Sequence, residues 1–140
     1  MADFTPTPAN VVAPTGTTAL SITAGAAINA GQLIYKDAND KKGKLAIATA
    51  EATANVIGIT VGEAAADGQK VQYVPLSSGA IITVGGTVTV GRIYVLSGDT
   101  AGSFAEDADL ASTEWVTICA VGKTTTTLKL IDAVTGVQKP

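Results

Sequence analysis

The sequence predicts one all-β domain, an antiparallel sandwich or barrel of about ten short strands built from two related halves. Three observations predict it. The apolar content, 46% of residues, is carried by Ala, Val, Ile and Leu with only 4% aromatics, beside 15 glycines and a high content of threonine. Branched side chains are stiff at χ1 and fit a pleated surface, and glycine supplies the positive φ of tight turns. Apolar residues also alternate: Ile57, Ile59 and Val61 share a face, as do Trp115, Thr117, Cys119 and Val121, while Leu128 and Leu130 lie opposite Thr127 and Lys129. Third, the chain repeats itself.

The repeat runs at an offset of 60 residues. Ile22, Thr23, Gly25 and Gly31 match Ile82, Thr83, Gly85 and Gly91, and Val56, Val61 and Gly62 match Val116, Val121 and Gly122. Between these identities Ile28 answers to Val88, Ala30 to Val90, Leu33 to Ile93 and Ile59 to Cys119. Shared glycines carry more weight than shared valines in a Val-rich chain. The expected units are residues 20–75 and 80–131, sharing one core, because about 55 residues with so few aromatics are marginal alone.

Each unit follows one plan. A strand at 20–23 or 80–84 meets a glycine turn, and a second strand follows at 32–36 or 92–96. The turns DANDKKG and SGDTAG lead to strands at 44–48 and 103–105. Ala/Glu-rich connectors, compatible with a helical turn or two, precede the strongest strands at 56–61 and 115–121. Strands at 70–74 and 127–131 close the units. Residues 1–19 read as an extended arm, since Pro6, Pro8 and Pro14 each remove a donor and bias their predecessors to extended backbone. Phe4, Val11 and Val12 are apolar anchors within it, expected to contact a neighbouring subunit. Residues 132–140 read as a C-terminal tail.

Charge and cysteine content exclude several classes. Net charge is −3 with scattered basic residues, the densest group being Lys41, Lys42 and Lys44, which disfavours nucleic acid as a partner. No apolar run reaches the length of a membrane span, and Met1 is followed by Asp3 and Pro6, unlike a signal region, so a soluble protein made in the cytoplasm of its producer is expected. Cys119 is the sole cysteine, which rules out a disulfide scaffold.

The residues select no catalytic constellation, and the chain is expected not to be an enzyme. Histidine is absent, which removes most general-base and transition-metal designs, so no cofactor and no metal are expected. Cys119 sits inside a strand pattern and reads as core. Asp37, Asn39 and Asp40, and separately Asp99, Glu106, Asp107 and Asp109, lack the ligand spacing of a calcium loop. Gly85 and Gly86 open no helix that could cradle phosphate. Trp115, Tyr35, Tyr73 and Tyr94 could form a sugar- or protein-binding platform, although a lone Trp in an alternating strand reads first as core. The Thr124–Thr127 run reads as a polar turn into the last strand.

The segments AGQLIYKDANDKKGKLAIATAEATANVIGITVGEAAADGQKVQYV and TVGRIYVLSGDTAGSFAEDADLASTEWVTICAVG, with a proline-containing arm before them, resemble the small cement or decoration proteins of tailed bacteriophages. The resemblance covers most of residues 20–131 and consists of composition and turn spacing. It implies a jelly-roll-like barrel or sandwich that stabilises an assembled capsid from outside. The implied partners are the major capsid protein lattice and further copies of the chain, as a dimer or trimer. The implied location is the virion, with assembly in the host cytoplasm. The alternative from the residues is a receptor- or glycan-binding β module of a phage fibre or cell surface.

Overall fold

The computed structural model describes residues 3–85 and 87–140, with the side chain of Asp107 excepted. Gly86 of the glycine pair and the Asp107 carboxyl of the acidic stretch therefore lie outside the described residues. The first half contributes β1 (Leu20–Thr23), β2 (Leu33–Lys36), β3 (Gly43–Leu45), β4 (Val56–Thr60) and β5 (Lys70–Pro75). The second contributes β6 (Ile81–Thr83), β7 (Ile93–Leu96), β8 (Phe104–Glu106), β9 (Trp115–Gly122) and β10 (Thr127–Gln138). Among the described residues helix is confined to single 3-10 turns, two of them in the Ala/Glu-rich connectors at Ala52–Ala54 and Asp107–Asp109.

The two halves share one topology. The first sheet runs β1-β5-β4-β2-β3 and the second β6-β10-β9-β7-β8, so each strand occupies the place of its counterpart. All pairings within both sheets are antiparallel. Even a bulge recurs, between Ile34 and Tyr35 in β2 and between Tyr94 and Val95 in β7. The turn glycines Gly31 and Gly91 also coincide, with φ of 85° and 80°. Gly31 donates its N–H to the Thr60 carbonyl and Gly91 to that of Gly122.

That last pair corrects the gapless alignment. Thr60, not Gly62, takes the place of Gly122, so the central strands β4 and β9 are displaced by two residues from the 60-residue offset. Gly25 and Gly85 also differ, since only Gly85 has a positive φ. The displacement by two keeps each strand's in-out alternation, so the apolar pattern alone could not reveal it.

The units close differently. In the first, Ala24, the residue after β1, makes a parallel bridge to Gly43 at the start of β3, joining the two edge strands and closing the sheet on itself. In the second, edges β6 and β8 are met by the arm, with Val12 bridging Thr83 and Phe4 bridging Phe104. Open strand edges template aggregation, and both devices cover them.

A small core of Ile22, Ile28, Ile34 and Val71 lies inside the first unit. The larger core joins Leu33, Ile59 and Val74 of the first unit to Ile82, Leu96, Phe104, Leu128 and Leu130 of the second. Main-chain bonds cross the same boundary: Gly102 bonds to both Leu33 and Ala46, accepting from the Leu33 N–H at 2.9 Å and donating to the Ala46 carbonyl at 2.7 Å. Ala48 likewise donates to Ser97 and accepts from Trp115. The segment from residue 132, expected as a tail, instead carries β10 on to Gln138, with register shifts after Leu130 and Val134.

Candidate interaction surface

The arm is the element whose residues the sequence singled out, and its placement follows from shape and edge chemistry. Pro8 starts a 3-10 turn over Pro8–Asn10, and Val11 and Val12 leave it extended. Extended residues offer a donor and an acceptor to a strand edge. Phe4 exchanges both main-chain bonds with Phe104, at 2.8 and 2.9 Å, and Val12 exchanges both with Thr83, at 2.9 Å each. Between them, Pro6 and Val11 press against Gly31, where an added Cβ would lie 2.8 Å from each.

The three anchors therefore divide. Phe4 packs in an aromatic cluster with Tyr94 and Phe104, at centroid distances of 5.9 and 6.1 Å. Val11 is buried in the main core. Val12 alone turns outward, 57% exposed although its backbone is tied. Within this chain the main-chain bonds of the arm go to its own second unit, at the edge strands β6 and β8. Polar contacts fix the start of the arm: Ser97 Oγ donates to Asp3 at 2.6 Å, and the Thr5 and Ser103 hydroxyls bond each other.

Other apolar side chains at the surface are Leu20, Ile81, Val90, Ile93, Val134 and Val137. The proposed aromatic platform does not assemble. Tyr94 is core, with its hydroxyl accepting from the Thr89 N–H at 3.0 Å, and Trp115 and Tyr35 are half-buried against the main core. Tyr73 is half-buried beside the smaller core, and that burial raises its pKa.

The titratable groups serve turns and pairs. Lys44 binds Asp37 at 2.8 Å and Asp40 at 3.1 Å, so an ammonium sits where a calcium ion would have to bind. Hydrogen bonds from Lys44 and from turn amides hold both carboxyls below the usual range, and the two carboxylates hold Lys44 above its own. Glu106 is paired with Arg92 at 2.7 Å. Among the described residues no group of three or more acidic or cysteine side chains could hold a metal ion. Cys119 is buried, and burial first, then the nearby Asp132 carboxylate, push its thiol far above the ordinary value. Thr124 and Thr127 bond each other's hydroxyls across the turn before β10.

Among the described residues no helix is long and apolar enough to cross a membrane. No protein-family model matches the chain, and no curated protein matches it either.

Proposed function

We propose that the chain is a structural protein that binds the outside of an assembled phage capsid and stabilises it. The observation that carries this reading is a fold that closes its own strand edges under a surface poor in charge, only 15% of residues being charged. Closed edges suppress indiscriminate strand addition, and so low a charge favours an exterior that is partly covered over one that faces water throughout. The likeness of the sequence to cement and decoration proteins names that partner as a lattice of major capsid subunits, with the chain acting as a small homo-oligomer. The glycan-binding alternative draws no support from Trp115, Tyr35, Tyr73 and Tyr94, which lie in or against the cores.

The mechanism is linkage. A protein that binds only the mature lattice stabilises it by about 2.7 kcal/mol per site at a hundredfold excess over Kd, summed over many sites. The test is the thermal disruption of empty expanded capsids of the phage that carries the protein, with and without saturating protein. The reading expects disruption to shift upward in proportion to occupancy, and an unchanged disruption temperature at saturation would reject it.

A further inference from the structure

The two halves of β10 are held in different ways. Over residues 128–130 the strand is bonded on both sides, to β6 or Ala80 and to β9, and Leu128 and Leu130 are core. Beyond Leu130 the pairing with β6 has ended, and no side chain of residues 131–140 is buried. The ladder with β9 is also interrupted twice, between Leu130 and Ala133 and between Val134 and Gln138. In the second interruption the Thr135 hydroxyl donates to the Val116 carbonyl at 2.6 Å, a side-chain bond at a bulge where the ladder is disrupted. The first unit has nothing comparable: β5 stops at Pro75, and Leu76 after it is buried. A groove of about 450 Å3, lined by Glu51, Ala52, Asn55 and residues 134–136, leaves space beside the segment.

The far end of the segment is tied by polar bonds. The Lys139 N–H donates to the Glu114 carbonyl and its carbonyl accepts from the Thr113 N–H, both at 2.8 Å. Gln138 Nε2 donates to the Thr113 carbonyl at 2.8 Å, and Lys139 Nζ to that of Leu110 at 2.9 Å. Both main-chain groups of Thr113 are therefore bonded to this one segment. Thr113 has a φ of 72°, left-handed although its side chain is β-branched. Such a conformation persists only where the surroundings impose it. Lys139 also forms one wall of a pocket of about 180 Å3, whose other walls are apolar: Ile93 and Val95 of β7, Leu110, and Val116 and Ile118 of β9.

We infer that residues 132–139 are a latch that opens and closes as a unit while both sheets stay folded. Opening releases Thr113 from its left-handed conformation and removes the Lys139 wall of the apolar pocket. A segment held by hydrogen bonds and by no buried side chain belongs to the low end of local stability, whereas β9 and the first half of β10 carry the core. The strain at Thr113 favours opening further, since the latch alone bonds its backbone. This device goes beyond the capsid reading and does not depend on it.

Amide hydrogen exchange of the full chain, followed by NMR, tests the latch. The amides of Thr113 and Lys139 bond across it, while those of Gly122 and Leu130 are bonded in the folded part of the same two strands. Thr113 and Lys139 should show matching protection, at least about a hundredfold below that of Gly122 and Leu130. Equal protection at all four would mean that the segment opens only with the whole fold, and unequal protection at Thr113 and Lys139 would mean simple fraying; either overturns the inference. Thr113→Gly removes the cost of the left-handed backbone in the closed form, so protection at Lys139 should rise about threefold with Gly122 unchanged. No rise would remove strain from the account. A thiol introduced by Leu110→Cys, at a buried pocket position, should react with a small maleimide at a rate that Thr113→Gly lowers by the same factor, while Cys119 stays buried. Labelling indifferent to Thr113→Gly would show that the latch does not close the pocket.

Discussion

Phe4 and Phe104 exchange both of their main-chain hydrogen bonds and set their rings 6.1 Å apart, which makes the arm the last strand of the second unit. The first unit needs no such strand, because its own edges meet at Ala24 and Gly43. Deleting residues 2–18 therefore opens both edges of the second sheet. At about 1 kcal/mol net for each of the four exchanged bonds, plus the lost burial of Phe4 and Val11, the truncated chain should be at least about 4 kcal/mol less stable. Thermal melting checks this, and equal melting of the two forms would contradict the arm's place in the fold.

Within the arm the anchors are unequal. Phe4→Ala should cost about 2 kcal/mol, because it empties one corner of the cluster with Tyr94 and Phe104. Val12→Ala should cost less than about 0.5 kcal/mol, since that side chain faces solvent. Denaturant titration of both variants separates them.

Gly31 and Gly91 offer a matched pair. Both are left-handed, so alanine brings a similar backbone penalty of about 1–2 kcal/mol at either position. Only at Gly31 does the new methyl also meet Pro6 and Val11. Gly31→Ala should exceed Gly91→Ala by at least about 1 kcal/mol, and a reversed order in denaturant titration would place the arm elsewhere.

Much of this fold was legible in the sequence because its signals are local. Alternation located the strands, and the 60-residue repeat foretold two units whose strand orders turn out identical. What escaped depends on distant partners. Prolines mark residues 1–19 as an extended arm, but nothing near Phe4 says that its partner is Phe104. The displacement of β4 against β9 preserves alternation and so hides from it. Residues 132–140 read as a tail, yet β9 is long enough to pair with Ala133, Val134 and Gln138. The exposure of Val90 and Ile93 could not be read from residue type either, since their counterparts Ala30 and Leu33 are equally apolar and buried.

Cys119 gives a pH dependence with a definite sign. Its folded-state pKa is raised by burial, so its contribution is fully present below the unfolded thiol value of about 8.5 and declines as pH rises above it, when only the unfolded chain can release the proton. The decline approaches about 1.4 kcal/mol per pH unit. Stability measured from pH 7 to pH 10 should fall more steeply for the native chain than for Cys119→Ala, and parallel profiles would show an accessible thiol.

Lys44 between Asp37 and Asp40 implies indifference to calcium. Millimolar calcium should leave the melting temperature of the native chain unchanged. A rise would mean that the carboxylates leave the lysine for the metal.

Co-sedimentation with purified empty expanded phage capsids tests the proposed capsid decoration most directly. The account predicts saturable binding at a fixed number of copies per capsid, with little binding to unassembled capsid subunits. Protein that stays in the supernatant at every concentration, or binding that grows without saturation, would contradict it.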